Sequence, residues 1–268
     1  MIDAPARLVL LGHPVAHSIS PRFQNAALRA AGSPLKYEAL DVHPDDLERT
    51  LATLALERAA GNVTIPHKEA VAAHCARRSP LAERVGAVNT FWHEEGVLVG
   101  DNTDVGGAEV VIRALTFRQT HDLRVALIGA GGSAAAIVCA AERCGATEVR
   151  VYNRNMARAA QLAHRFAPLA RLATSLVDAL TRATLVVNAT PVGLHGSDHP
   201  VPIHLLPSDC AVFDLAYRAA ETPWVTAARA AGHRAADGEG MLIEQGAISF
   251  TRWFGVEPDR NAMWKAIS

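Results

Sequence analysis

A glycine run, Gly129-Ala130-Gly131-Gly132, followed by Ser133, stands directly after a β-rich stretch and opens a helical one. Missing side chains at such a turn let backbone N–H groups approach a pyrophosphate at the positive end of a helix dipole. Ala134 occupies the place of the third glycine in G-x-G-x-x-G and is small enough to keep the helix close to the sheet. The next strand ends in Tyr152-Asn153-Arg154-Asn155, where an NAD-selective fold carries a carboxylate for the ribose 2′-hydroxyl. Arg154, with Arg158 one turn further on, offers forked, charge-assisted hydrogen bonds to a 2′-phosphate instead, so the pair points to NADP over NAD.

A second group of residues suits proton chemistry. The chain is rich in arginine but has lysine only at Lys36, Lys68 and Lys265. An ammonium, unlike a guanidinium, can be pushed toward neutrality by burial and used as a base. Lys68 ends the run NVTIPHK (62–68) at the start of a predicted helix, where the dipole also disfavours its charge. Asp101 and Asp104, in GDNTD (100–104), place two carboxylates just before another helix. Ser18 and Ser20, with His17 and Pro21, form a polar cluster suited to a small anion held by hydroxyls and helix-start amides. Each feature also has an ordinary structural use: a tight βα turn, solvated arginines, a surface lysine, a helix N-cap at Asp104, capping serines. The histidines nearest these motifs, His13, His17 and His67, read as solvated or capping side chains.

Two βα rhythms must position these residues. In the first, β-rich runs at 7–11 and 37–42 and a buried strand at 62–65 alternate with helices at 22–31, 45–60 and 67–77. A hairpin with arms 86–92 and 97–99 closes this half. The second has a helix at 105–115, strands at 124–128, 148–152, 185–188 and 212–215, and helices at 133–144, 156–167 and 176–182, which is a parallel-sheet dinucleotide-binding series. From Met241 the chain reads as helix, and Trp253, Phe254 and Trp264 supply an apolar face that needs covering. The expected division is 1–103, 104–238, and a C-terminal helical segment 239–268 that returns to the first domain.

With 268 residues, half of them hydrophobic and 20% charged, the chain is long enough for about two domains, and disorder, collagen and small disulfide scaffolds are excluded. Lys and Arg total 26 against 27 for Asp and Glu, a net charge of −1, so no basic face for nucleic acid is expected. The four cysteines, Cys75, Cys139, Cys144 and Cys210, fit neither a zinc ribbon nor a CxxC pair; they read as apolar fillers or free thiols, and no metal site is expected. The most apolar stretch, 125–141, is broken by three glycines and does not read as a bilayer span. No signal-peptide pattern is recognised near Asp3 and Arg7, and a reducing cytoplasm is the expected location. The glycosylation triplets at Asn62 and Asn188 are read as something else.

Taken in order, the segments GHPVAHSISP (12–21), NVTIPHK (62–68), GAVNT (86–90), NTD (102–104), GAGG (129–132), NR (153–154), NAT (188–190) and GMLIEQ (240–245) resemble the shikimate dehydrogenase family, nearly the whole chain from Gly12 to Phe250 being covered. The resemblance implies an α/β protein with an N-terminal substrate domain and a Rossmann-type doubly wound NADP-binding domain. It also implies reversible, NADP-dependent reduction of 3-dehydroshikimate to shikimate in aromatic amino-acid and chorismate biosynthesis. Lys68 and Asp104 would form the catalytic pair, and Ser18, Ser20, Thr64, Asn89, Tyr217 and Gln245 would bind the substrate. Gly129, Ala130, Gly131, Gly132, Ser133, Asn153, Arg154, Arg158, Thr190, Leu215 and Gly238 would hold the cofactor. A small-molecule substrate is the expected partner, with no nucleic acid or membrane, for a chain working as monomer or homodimer.

The sequence departs from the family's commoner pattern at Gln24 (usually His), Asn155 (usually Thr), Pro191 (usually Ser) and Ala219 (usually Pro). These touch the cofactor edge and the substrate rim. They keep open a quinate/shikimate or aminoshikimate-type paralogue, and beyond that a non-catalytic ligand-binding module.

Overall fold

The computed structural model describes residues 5–117 and 122–267. It divides into two compact units, Met1–Gly107 with Leu242–Ser268, and Ala108–Met241. The first begins with β1 (Arg7–Gly12), α1 (Ser20–Ala30), β2 (Tyr37–Asp41), α2 (Leu47–Leu56), β3 (Ala59–Val63), α3 (Lys68–His74), β4 (Arg77–Arg78), α4 (Pro80–Val85), β5 (Thr90–Glu94) and β6 (Val97–Asp101). Its six strands lie in the order β2-β1-β3-β5-β6-β4. β1 is parallel to both β2 and β3, and the hairpin β5–β6 adds an antiparallel edge to β3. Glu95 and Gly96, both at positive φ, form the two-residue hairpin turn.

Alternation along β1 explains its unbroken apolar run. Leu8 and Leu10 face one cluster with Phe23, Ala27, Phe250 and Trp253, while Val9 and Leu11 face another with Leu47, Leu51 and Val71. A strand covered on both faces has no polar side.

The β3 strand starts three residues before the expected 62–65 run, and the helix expected over 45–60 stops at Leu56. Arg58, at φ 49, ends that helix in a left-handed conformation. The alanines and glycine that follow favour helix or turn in isolation, yet here small size decides: a Cβ at Gly61 would lie 1.9 Å from the Val9 carbonyl oxygen. The α3 helix likewise ends at His74, short of the expected 77.

The chain enters the second unit within α5 (Asp104–Thr116) and continues through β7 (Arg124–Ile128), α6 (Ala134–Arg143), β8 (Glu148–Tyr152), α7 (Met156–Arg165), β9 (Ala170–Leu172), α8 (Leu176–Leu180), β10 (Leu185–Asn188), β11 (Ala211–Asp214), α9 (Pro223–Ala230) and β12 (Ala235–Ala236). The six strands run β12-β11-β10-β7-β8-β9, all parallel. This is the doubly wound order, in which the direction of winding reverses between β7 and β10. The register Tyr152↔Ile128↔Asn188↔Asp214 aligns the carboxyl ends of four strands, where such folds bind ligands.

Two helices, α10 (Glu239–Phe254) and α11 (Arg260–Lys265), complete the chain. Beyond Leu242 they belong to the first unit, where Trp253 is 1% exposed and Phe254 and Trp264 pack at the edge of the α1 cluster. All four cysteines are thiols outside any disulfide, and burial pushes those of Cys75 and Cys144 up to about 11 and that of Cys210 to about 12. Among the described residues no His, Cys, Asp or Glu group is arranged to hold a metal, and no helix is long and apolar enough to cross a membrane.

Candidate functional site

In the first unit, the start of α3 and the start of α5 bring Lys68 and Asp104 into contact, Nζ to Oδ2 at 2.5 Å. The pair is nearly buried, with side chains 14% and 8% exposed. The backbone fixes the lysine end: the Val88 N–H donates to the Lys68 carbonyl at 2.9 Å, tying α3 to the segment before β5. The carboxylate end is fixed by Asn89, whose Nδ2 donates to Asp104 Oδ1 at 2.7 Å. Asp104 is therefore not spent as a helix cap. It lies within the first turn of α5 and turns both oxygens toward Asn89 and Lys68. An ion pair this sheltered is strengthened by the low local dielectric and holds one geometry.

A buried polar network stands behind Asn89. Its Oδ1 accepts the Thr103 N–H at 2.7 Å, and its Nδ2 also reaches Gln245 Oε1 at 3.3 Å. Thr103 Oγ1 shares a hydrogen bond with Ser249 Oγ at 3.0 Å. Ser249 also accepts from Asn62 Nδ2 at 2.8 Å and donates to the Gln245 carbonyl at 2.9 Å. Tyr37 donates its hydroxyl to Asn62 Oδ1 at 2.8 Å. Asn62, Asn89, Thr103 and Ser249 are all 6% exposed or less, so each partner lost leaves a buried group unmet. Ser249→Ala is accordingly expected to lower unfolding free energy by about 1–3 kcal/mol, read from urea denaturation. An unchanged midpoint and slope would deny Ser249 its role as the hub.

Ser249 has no motif in the sequence to announce it. Its only signal is its spacing of one helical turn from Gln245, which places both on the same face of α10.

Ser18 and Ser20 sit where β1 gives way to α1. The Ser20 N–H donates to Ser18 Oγ at 3.2 Å, and α1 carries no side-chain cap at its first turn. Farther along α1, Gln24 Nε2 donates to the Gly246 carbonyl at 3.0 Å, so the helix is tied to α10 beside Gln245. Thr64 lies on the loop between β3 and α3, its N–H bonded to the Leu11 carbonyl at 2.8 Å. A Cβ at Gly12 would fall 2.5 Å from the Thr64 methyl, so any larger residue there would have to displace the Thr64 side chain.

His67 holds the N-cap position of α3, but its side chain neither caps the helix nor meets solvent: it is 1% exposed, and its Nε2 meets the Val42 carbonyl at 2.7 Å. A solvated reading fails because α3 begins by folding this ring under the end of β2. His13 pairs with Asp41, Nδ1 to Oδ1 at 2.6 Å, on the surface. Asp101 also stands apart from Lys68. It is buried at the end of β6, where it accepts from the Ser79 hydroxyl and from the Asn102 N–H, and pairs with Arg252 at 2.9 Å.

In the second unit, a cavity of about 260 Å³ opens at the carboxyl ends of β7, β8 and β10. Gly129, Ala130, Gly131, Asn153, Arg154, Arg158 and Thr190 line it, together with Ile128, Tyr152, Ala189, Pro191, Val192 and Pro200. Gly129 has φ +115, and a Cβ there would meet the Ala189 carbonyl at 2.7 Å, so the turn demands glycine. Gly131 and Gly132 instead face open space. The N–H groups of Gly131, Gly132 and Ser133 have no acceptor among the described residues, and they precede α6. The guanidinium groups of Arg154 and Arg158 are exposed and have no ion-pair partner among the described residues. Free helix-start donors beside two uncompensated cations fit a phosphorylated dinucleotide, and no carboxylate lines the cavity to favour a bare ribose.

The remaining expected residues are not on the cavity wall. Ser133 and Gly132 lead into α6. Leu215 follows β11, and Gly238 approaches it so closely that a Cβ would stand 2.3 Å from the Leu215 carbonyl. Tyr217 is half-buried in the same unit; burial, and then the neighbouring Glu239 carboxylate, raise its phenol above the ordinary value. Of the two triplet asparagines, Asn62 is 6% and Asn188 0% exposed, and both are spent on internal hydrogen bonds.

Comparison with known proteins agrees with this geometry. The family model for the shikimate dehydrogenase substrate binding domain matches residues 10–91, that for shikimate / quinate 5-dehydrogenase matches 112–194, and that for the shikimate 5′-dehydrogenase C-terminal domain matches 238–267. Shikimate dehydrogenase (NADP(+)) of Mesorhizobium japonicum is 39% identical, covering 100% of this chain and 97% of its own. The crystal structure of shikimate 5-dehydrogenase from Thermus thermophilus in complex with NADP(H) and shikimate is 38% identical, with a TM-score of 0.86 over 97% of this chain and 98% of the other. Quinate dehydrogenase from Corynebacterium glutamicum in complex with NAD is 28% identical, with a TM-score of 0.90 over 98% and 99%. Motifs, fold and full-length similarity converge, and the chain belongs to the shikimate dehydrogenase family.

Proposed function

We propose that this protein catalyses the reversible, NADP-dependent reduction of 3-dehydroshikimate to shikimate, the reaction that serves aromatic amino-acid biosynthesis. The observation that carries the reading is the nearly buried Lys68–Asp104 pair, held from behind by Asn89. When bound, the reduced dinucleotide supplies a hydride to the substrate's carbonyl carbon. The oxygen then gains negative charge and needs a positioned proton donor. Lys68 Nζ is that donor, and in the oxidative direction it receives the proton from the hydroxyl. Asp104 holds the ammonium in line and accepts a hydrogen bond from the substrate hydroxyl.

Ser18 and Ser20, at the open start of α1, bind the substrate carboxylate through hydroxyls and helix-start amides. Thr64, Asn89, Tyr217 and Gln245 take the ring hydroxyls. Gly129, Ala130, Gly131, Gly132 and Ser133 cradle the pyrophosphate, while Asn153, Arg154 and Arg158 receive the 2′-phosphate, and Thr190, Leu215 and Gly238 complete the cofactor site. Residues 1–107 and 242–268 thus serve chiefly the substrate, and 108–241 chiefly the dinucleotide. Four cysteines outside any disulfide support a reducing, cytoplasmic setting, with the chain acting as monomer or homodimer.

Incubation with 3-dehydroshikimate and NADPH, followed by chromatography of the product, tests the reading. Shikimate should accumulate in step with loss of the reduced nicotinamide. Binding of both ligands without turnover would mark a non-catalytic module instead. A second reading, oxidation of quinate, is favoured by the likeness to the Corynebacterium glutamicum quinate dehydrogenase and by Gln24, Pro191 and Ala219 at the rims.

A further inference from the structure

One buried carboxylate takes no part in the proposed chemistry. Asp214, at the end of β11, is 0% exposed and has no ion-pair partner among the described residues. Three donors converge on it: Asn188 Nδ2 at 2.8 Å and the Ala216 N–H at 3.1 Å on Oδ1, and the Thr222 hydroxyl at 2.8 Å on Oδ2. Burial raises its carboxyl above the usual range, against the pull of these hydrogen bonds. Keeping such a group without a cation is costly, which calls for a role that an apolar residue could not fill.

That role is visible across the register pair Asn188↔Asp214. A carboxylate only accepts, so Asn188 must turn its NH2 toward Asp214. Asn188 Oδ1 is thereby directed at Thr190, where it accepts from the N–H at 2.9 Å and from the hydroxyl at 2.6 Å. The second hydrogen on Nδ2 goes to the Val192 carbonyl at 3.0 Å. The Val192 N–H in turn donates to Thr190 Oγ1 at 3.2 Å. Thr190 and Val192 are cavity wall. We propose that Asp214 is a positioning residue for the dinucleotide site: by accepting from Asn188 it sets the direction of that amide and so holds the wall formed by Thr190 and Val192.

The inference rests on the dinucleotide occupying this cavity. Isothermal titration of the full-length protein with NADP+ tests it. Asp214→Ala should raise Kd roughly tenfold or more, since it strands several donors. Asp214→Asn should stay within about threefold, because its Oδ1 still serves Asn188 and Ala216 while Thr222 rotates its hydroxyl to accept. Thr190→Ala should weaken binding alone but add less than about twofold to Asp214→Ala, as coupled residues do. If Asp214→Ala does not fold, Asn188→Asp, which sets carboxylate against carboxylate, should bind weakly, and Asn188→Asp with Asp214→Asn should regain part of the loss. Wild-type affinity in Asp214→Ala, additive losses with Thr190→Ala, or no recovery in that double variant would overturn the role. Arg154→Ala is the control: unchanged NADP+ affinity there would overturn the site itself, whereas weakened binding there with intact Asp214→Ala would overturn Asp214 alone.

Discussion

Lys68→Ala is expected to lower kcat by roughly 10²–10⁴-fold, the range over which a positioned acid–base group contributes, with shikimate Kd within about threefold of wild type. The asymmetry follows from the chemistry. Lys68 meets the substrate oxygen most strongly when hydride arrival has made it basic, so the contact belongs to the transition state more than to the ground state. Asp104 keeps one of its two anchors in this variant, because the Asn89 hydrogen bond does not involve the lysine. The carboxylate nonetheless loses its compensating charge in a nearly buried place, and some loss of thermal stability should accompany the kinetic defect. Asp104→Asn should also lose turnover, since an amide that still accepts from Asn89 must turn its NH2 toward the Lys68 ammonium, donor against donor. Turnover comparable to wild type in Lys68→Ala would remove the assigned role, whatever its stability.

The second large effect concerns cofactor choice. Arg154→Ala should lower kcat/KM for NADP by roughly 10–100-fold, the value of charge-assisted hydrogen bonds to a phosphate, and leave that for NAD within about twofold. The difference arises because the two cofactors differ only in the 2′-phosphate. Neither arginine has an ion-pair partner among the described residues to occupy it in the phosphate's absence. Arg158→Ala should act in the same sense, and the double variant should lose less than the product of the two, since both cations serve one anion. Higher salt should narrow the gap, because both guanidinium groups are exposed. Equal losses with NADP and NAD would mean that the arginines hold the loop rather than the phosphate.

The second unit is the more legible half, and the reason is physical. Strands β7 and β10 are short runs rich in Val, Leu and Ile between turn residues, and they lie where the β-rich runs are expected, as does β8 with its alternating Glu148-Val149-Arg150-Val151-Tyr152. A parallel sheet covered on both faces produces that pattern directly. The glycines after β7 are explicit as well, since Gly129 alone combines a positive φ with close approach to Ala189.

In the first unit, β3 hides in Ala59-Ala60-Gly61-Asn62-Val63, a segment chosen for close backbone approach and for the Asn62 hydrogen bonds rather than for β-propensity. Helix α9 is not expected from apolar periodicity, although Thr222 as N-cap and Pro223 after it announce the start. Of the site, Lys68 stands out by its residue type, but a lone carboxylate before a helix reads as a cap. Contact between residues 36 positions apart has no local signature, and only the family resemblance links Lys68 to Asp104 before the fold does. The network through Ser249 is less legible still, because serine on a helix is common and its partners outside α10, Asn62 and Thr103, come from two other segments.

Steady-state oxidation of shikimate and of quinate, each with NADP and with NAD, decides which substrate and cofactor the enzyme uses. Shikimate with NADP should exceed the other three combinations in kcat/KM by at least roughly tenfold, a discrimination within reach of one phosphate or one hydroxyl contact. Dominance of quinate or of NAD would contradict it, and would assign the departures at Gln24, Asn155, Pro191 and Ala219 to a different substrate or cofactor.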